Sequence, residues 1–332
     1  MNQPFRFLII QTAFIGDVIL ATSLIEKLHA HYPDAHLDVL VRKGNEGLLK
    51  GHPFLNEVLV WDKKNGKYRD LLRLLRIIRP RRYDKVINLQ RFGATGLLTA
   101  LSNATETVGF SKNPFSRFFT YRVEHRIAPG IHEIDRNTEL VSDFTNRAVY
   151  RPRLYPSATD FNLVEPYQDR PYICVAPTSV WFTKQYPEEQ WVDFLQRVPA
   201  PYTVYLLGAP SDVEAVERIR LSVDSERVIS LAGKLPLLAS AALMQGAQMN
   251  FVNDSAPLHL ASAVNAPTTA IFCSTVPQFG FGPLADESHL VEIEEILECR
   301  PCGLHGRKAC PLGHFLCAHG IRTEQLLERI PH

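Results

Sequence analysis

The sequence predicts an α/β protein of two doubly wound parallel sheets, and three observations carry that expectation. Apolar β-like runs alternate with amphipathic helical runs through the first half. The same alternation restarts after a Pro-containing stretch, RPRLYPSATDFNLVEPYQDRP, at 151 to 171. A chain of 332 residues, 45% hydrophobic and 21% charged, is long enough for two domains of roughly 150 residues each.

In the first half, Phe7 to Ile10 reads as a strand. Residues 17 to 31 read as a helix, with Val18, Leu24, Ile25 and Leu28 at helical spacing and Tyr32-Pro33 as the stop. Leu37 to Val41 is a strand, Gly44 to Lys50 a short helix and Glu57 to Trp61 a strand. Residues 68 to 79 form an amphipathic helix, with Leu71, Leu72, Leu75 and Ile78 facing inward and Arg69, Arg73, Arg76 and Arg79 outward. Lys85 to Leu89 closes a βαβα series, which implies a parallel sheet covered on both faces.

The irregular stretch reads as a linker. Beyond it, Tyr172 to Ala176 is a strand, 187 to 198 a helix, Thr203 to Leu207 a strand and 211 to 222 a helix, followed by strands at Val228 to Leu231, Met249 to Val252 and Thr268 to Phe272. The expected domains are 1 to 160 and 161 to 332. Ligands of such sheets bind at the carboxyl ends of the strands, so a cleft between two such domains is the default site.

Composition narrows the function. A net charge of +1 gives no general attraction for nucleic acid, so any affinity for anions must come from local clusters. The opening MNQPFRFLII has an apolar run too short for a signal peptide, and no later segment reaches the length of a membrane span, so a cytoplasmic protein is expected. GxGxxG follows neither first strand and GxxxxGK[ST] is absent, which disfavours dinucleotide and P-loop chemistry.

Other strand ends carry the chemistry. In QTAFIGDVILATSLIEKL, residues 11 to 28, Asp17 stands at a strand-to-helix turn, where it suits a helix cap or a base at the mouth of a cleft. In FVNDSAPLHLASAV, 251 to 264, a strand ends at Asn253 and Asp254-Ser255-Ala256-Pro257 opens a helix with capping side chains; its N-terminus suits a diphosphate or is simply a well-capped core helix. His259, one turn further, reads as a packed histidine. In APTSVWFTKQYPEEQW, 176 to 191, Thr178 and Ser179 offer hydroxyls and Lys184 an ammonium within reach of a phosphate, with a solvated lysine as the plain alternative.

TAFIGDVILATSL, NDSAPLHLASAVNAP followed by STVPQFGFGPL, and the tail CRPCGLHGRKACPLGHFLCAH together resemble the bacterial lipopolysaccharide heptosyltransferases, the tail looking most like that of the second group. The resemblance runs from residue 7 to about residue 320. It implies a GT-B fold, two Rossmann-like domains facing across a cleft, with a final helix packing back toward the N-terminal domain. It also implies an ADP-heptose donor, a lipid A–Kdo or heptosyl-Kdo acceptor at the inner face of the cytoplasmic membrane, and inverting transfer without a metal. On that resemblance Asp17 matches the catalytic base and Lys184 the lysine that stabilises the leaving diphosphate. Asp254, Ser255 and Ala256 match the phosphate-binding turn, His259 the histidine behind it, and Asp212 the acidic residue on the donor ribose. Apart from the resemblance, the loop Gly233 to Leu237, with Leu235, is the expected adenine pocket. The family has Gly where this chain has Ala256; Ala keeps its N–H, whereas the following Pro257 removes one donor.

The resemblance places acceptor contacts around Arg117, Arg122 and Arg126, within a basic, aromatic segment at 112 to 126 that suits an anionic glycolipid and a membrane surface. His132, Glu133 and Arg136 open the next helix, with Arg136 as a further acceptor contact. A different nucleotide-sugar enzyme, such as a hexosyltransferase or an epimerase, and a non-catalytic binding relative are the competing readings. An epimerase needs no such basic segment. Cys299, Cys302, Cys310 and Cys317 form C-x2-C-x7-C-x6-C. That set leaves a structural zinc open, although it contains a single CxxC knuckle and the implied reaction needs no metal. Disulfides are not expected in the cytoplasm.

Overall fold

The computed structural model describes residues 4–331, and the chain divides into two compact units, Met1–Tyr155 and Pro156–His332. In the first unit the order is β1 (Arg6–Ile10), α1 (Ile15–His31), β2 (His36–Arg42), β3 (Glu57–Trp61), α2 (Lys67–Arg81), β4 (Lys85–Asn88), α3 (Gly93–Ala100), β5 (Glu106–Phe110), β6 (Tyr121–Val123) and α4 (Glu133–Glu139). The second unit runs α5 (Ala158–Val164), β7 (Tyr172–Ala176), α6 (Glu188–Arg197), β8 (Thr203–Leu206), α7 (Val213–Val223), β9 (Val228–Ser230), α8 (Leu237–Gly246), β10 (Asn250–Asn253), α9 (Ala256–Ala263), β11 (Thr268–Phe272), β12 (Ser288–Glu292), α10 (Leu316–His319) and α11 (Thr323–Leu327).

The two sheets have the same topology. The first is ordered β3-β2-β1-β4-β5-β6 and the second β12-β11-β10-β7-β8-β9, all parallel, which is one winding scheme used twice. In each sheet the first strand lies beside the fourth, and the order runs outward from that pair in both directions. The gap beyond their carboxyl ends is therefore the topological switch point, where side chains from both connections can converge.

Central strands are apolar throughout because both faces are covered. Phe7, Leu8, Ile9 and Ile10 are all fully buried, as are Ile173 and Val175 of β7. Trp61 anchors the core of the first unit under α2, and Trp191 that of the second, edge-on to Tyr186. Trp191→Ala is expected to cost about 3–5 kcal/mol of unfolding free energy, read from denaturant midpoints, because the cavity cannot close around so large a deletion.

Several local expectations are corrected. The first helix begins at Ile15 and not at 17, which puts Asp17 inside its first turn. The inward face of α2 is Leu71, Leu74, Leu75 and Ile78, spaced i, i+3, i+4, i+7, whereas Leu72 lies on the exposed side. The stretch at 151 to 171 is not irregular throughout: Ser157 caps α5 by accepting from the Asp160 N–H (3.3 Å), while Asp160 Oδ2 accepts from the Ser157 N–H (2.8 Å). Those four residues, S-A-T-D, are a capping box that the flanking prolines obscure. Apart from these corrections, within the second unit α11 packs on α6, and Gln190 Nε2 donates to the Ile321 carbonyl (2.7 Å).

One buried cluster makes stability depend on pH. His52 is enclosed edge-on to Tyr155 (ring centroids 4.8 Å), with Nε2 3.6 Å from Glu26 Oε1, and Glu26 accepts from the Tyr155 hydroxyl (2.9 Å). Burial, with a smaller push from His29, holds His52 down at about 4, while burial pushes Glu26 up. Between about pH 6.5 and pH 4 the unfolded chain takes a proton on His52 that the folded chain refuses, so acidification across that window lowers stability. Glu26 acts oppositely, since its folded form protonates first. The denaturant midpoint is expected to fall from pH 6.5 to pH 4, and more gently in His52→Gln.

Candidate active site

In the first unit the chain leaves β1 through buried Gln11 and Thr12 and enters α1 with Phe14 at the N-cap. Asp17 is the third helical residue, and its Oδ2 accepts from the Phe14 N–H (3.2 Å). It is thus both a cap and a carboxylate at the β1 end, beside the partial positive charge of the helix N-terminus. From the neighbouring β4 end, Gln90 Nε2 donates to Gln11 Oε1, so the two connections are joined across the switch point.

Two further groups stand here: Lys63, to which sequence reasoning assigned no role of its own, and Glu133, which it placed with His132 at the opening of the next helix. Lys63, beyond β3, donates to the Thr12 carbonyl (2.8 Å) and Thr12 Oγ1 (2.9 Å), and burial, with the cations Arg42 and Lys67, brings its pKa down to about 8. Glu133, at the start of α4, is buried and accepts from Arg136 Nε (2.7 Å), with His125 Nε2 at 4.0 Å. Burial pushes the Glu133 carboxyl up, Arg136 opposes the push and the charge of Asp17 adds to it. Asp17 therefore sits within electrostatic range of a second carboxyl group.

Of the acceptor candidates, Arg117, Arg122 and Arg126 are exposed in the 112 to 126 segment, Arg117 lying over the Phe118 ring (4.7 Å) and Arg126 pairing with Glu124 (3.3 Å). Phe118 and Tyr121 are exposed beside them. Arg136, the fourth expected acceptor contact, is not exposed like the other three. It is buried, bound to Glu133 and donating Nη1 to the Ile131 carbonyl (3.0 Å), because a helix that packs along α1 turns it inward.

In the second unit the switch point lies between β7 and β10. Asn253, the last residue of β10, donates Nδ2 to the Pro177 carbonyl (2.8 Å) and accepts from the Tyr186 N–H (3.0 Å), which fixes the loop between them. Lys184, in that loop, reaches Asp254 Oδ2 (2.6 Å), and Thr275 Oγ1 donates to the same oxygen (2.6 Å). Both the lysine and the aspartate are largely buried, at 14% and 6% side-chain exposure, so the ammonium is held in place and is not a solvated surface lysine.

Ser255 is the N-cap of α9, but no capping side-chain bond forms. Asp254 is occupied by Lys184 and Thr275, and Ser255 Oγ points back to the carbonyls of Asn253 (3.4 Å) and Thr178 (3.5 Å). The expectation of capping side chains is corrected accordingly. Pro257 has no N–H and Leu258 N–H turns back to the Ser255 carbonyl (3.1 Å), so Ala256 carries a first-turn N–H for which the helix has no acceptor. His259 is buried one turn behind, near Phe281.

Asp212 accepts from Thr178 Oγ1 (3.1 Å) and from the Ala209 N–H (2.9 Å), which links the β8 end to the β7 end. Thr178 and Asp212 line a cavity of about 560 Å³ whose other walls include His319 and two aromatic residues that sequence pattern alone did not single out, Phe182 and Phe315. Ser179 is half-buried in the same loop, its carbonyl accepting from Gln185 Nε2 (2.6 Å), and Leu235 is half-buried just after the left-handed Gly233 (φ +70°).

The six cysteines are free thiols. Burial pushes Cys317 up to about 11 and Cys302 upward, with the neighbouring thiols adding to both. At Cys310 burial works against ionisation, but the N–H groups of 312 to 315 outweigh it and hold that thiol below its usual value. Cys299 Sγ lies 4.0 Å from His314 Nε2. Among the described residues no three His, Cys, Asp or Glu side chains are disposed to hold a metal ion.

Residues 71–310, most of the chain, match the model of glycosyltransferase family 9 (heptosyltransferase). The chain belongs to glycosyltransferase family 9. As a family 9 member it is a glycosyltransferase. It is 25% identical over 277 residues to lipopolysaccharide heptosyltransferase 3 of Escherichia coli, covering 79% of this chain and 82% of that protein. Its fold superposes on E. coli ADP-heptose lipopolysaccharide heptosyltransferase II with a TM-score of 0.81 at 22% identity, covering 98% and 97% of the two chains. It also superposes on the E. coli heptosyltransferase WaaC solved with ADP-2-deoxy-2-fluoro heptose, with a TM-score of 0.74 at 19% identity and coverage of 98% and 99%. The two doubly wound sheets are thus those of the GT-B fold, and the family 9 member carries its polar side chains at the switch point of each.

Proposed function

We propose that this enzyme transfers heptose from ADP-heptose to a hydroxyl of an anionic lipopolysaccharide inner-core acceptor, lipid A–Kdo or heptosyl-Kdo, with inversion and without a metal ion. Asp17 takes the proton of the acceptor hydroxyl as its oxygen bonds to the anomeric carbon. The bond from that carbon to the β-phosphate oxygen breaks, and ADP departs with the electron pair. Lys184 and the N-terminus of α9 meet the charge that develops on the diphosphate, which is the work a metal would otherwise do. Thr178, Ser179 and Asp212 hold the ribose and phosphates, Leu235 contacts the adenine, and His259 backs the phosphate turn. The observation that carries this reading is the buried Lys184–Asp254 pair at the opening of α9, a fixed cation beside a helix N-terminus.

The exposed Arg117, Arg122 and Arg126, with Phe118 and Tyr121, support an anionic glycolipid as acceptor and peripheral binding at the inner face of the cytoplasmic membrane. No helix among the described residues is long and apolar enough to cross a membrane.

The test is ADP release from ADP-heptose with each of the two acceptors, in EDTA. Turnover with one of them in EDTA supports donor, acceptor and metal independence together. Turnover restored only by added divalent cation overturns the metal-free mechanism, and ADP binding with no transfer to either acceptor overturns the choice of sugar or acceptor.

A further inference from the structure

The cysteine-bearing tail does more than end the chain. Thr183, the residue before Lys184, is paired to it in both directions: the Thr183 N–H donates to the Arg307 carbonyl (3.1 Å), and the Arg307 N–H donates to Thr183 Oγ1 (2.8 Å). Thr183 Oγ1 also accepts from Ser274 Oγ (3.0 Å), and the Ser274 N–H donates to the Thr183 carbonyl (3.2 Å). The same tail grips the loop after β11. Cys302 N–H donates to the Ser274 carbonyl (3.0 Å), and the Arg300 guanidinium donates to the carbonyls of Cys273 (2.6 Å), Phe272 (3.0 Å) and Thr275 (2.9 Å) while pairing with Glu292.

That loop carries Thr275, which donates to the carboxylate holding Lys184. The tail therefore fixes Lys184 from two sides, through the backbone beside it and through its partner Asp254. Gly306 sets the fit. A Cβ built there lies 2.5 Å from Trp181 Cβ and 2.8 Å from Lys184 Cγ, closer than carbon atoms approach, so any side chain displaces the stem of the lysine or the turn that bears it.

We propose that the tail segment from Arg300 to Arg307 is the support that positions Lys184, with Gly306 as the positioning residue that lets the lysine stem lie against it. This rests on the role of Lys184 proposed above. Gly306 touches no reacting atom; its effect passes through the lysine.

The experiment is a double-mutant cycle on the full-length enzyme, comparing wild type, Gly306→Ala, Lys184→Ala and the double variant. kcat and the KM for ADP-heptose are measured, with active protein counted by ADP binding. Gly306→Ala is expected to lower kcat about tenfold or more with KM within about threefold, and to cost less than about twofold in the Lys184→Ala background, because a lysine that is absent cannot be misplaced. An equal loss in both backgrounds, or no loss in the wild type, overturns the proposal. If Lys184→Ala itself leaves kcat within about threefold, the role of Lys184 fails instead. Should Gly306→Ala fold poorly, Thr183→Val, which keeps shape but removes the Oγ1 acceptor, enters the same cycle with the same expectations.

Discussion

Asp17→Asn is expected to lower kcat for heptosyl transfer by about a hundredfold or more, with binding of ADP-heptose changed little, as measured by initial rates of ADP release and by titration of the donor. The substitution is close in shape, and the neutral carboxamide cannot take up the proton that the carboxylate accepts. The cap contact to the Phe14 N–H can persist through the amide oxygen, so the helix keeps its start. A thermal midpoint near that of wild type, together with the loss of rate, separates the loss of a base from the loss of a fold. Activity within about threefold of wild type would remove Asp17 from the mechanism. Glu133, within electrostatic range and buried, would then be the next carboxyl group to test.

Lys184→Ala is expected to lower kcat by about a hundredfold to a thousandfold, the range for removing one preorganised donor from a site of developing charge. Part of any effect comes from Asp254, which is 5% exposed and would lose its ammonium partner. An uncompensated buried carboxylate costs about 3–5 kcal/mol, so the single variant is expected to lose stability as well as rate. Lys184→Ala combined with Asp254→Asn relieves that burial cost, and its denaturant midpoint is expected to recover while kcat remains low. Recovery of both would show that the lysine serves the fold and not the departing diphosphate.

Much of the fold is written in patterns of short range. The uninterrupted apolar runs of β1 and β7, the period of α2 and the restart of the alternation beyond residue 171 each follow from burial on one or two faces. Where the reading slipped, a local signal was outweighed. Leu72 and Leu74 are chemically identical neighbours, and only the surface against which α2 packs decides which is covered. Prolines on either side hid the S-A-T-D box of α5.

The sequence by itself determined that this is an α/β protein wound twice, that its polar strand ends include Asp17, Lys184 and Asp254, and that its overall charge gives no broad attraction for nucleic acid. These follow from periodicity and from residue type, which are properties of neighbours along the chain. Only the tertiary structure decided that Lys184 pairs with Asp254, that Thr178 shares the carboxylate of Asp212, that Glu133 lies within the field of Asp17, and that residues 300 to 307 hold the loop of Lys184. Each of those contacts joins residues tens of positions apart, and their formation depends on strand order and on which faces meet, which the two parallel sheets settle and no local spacing encodes.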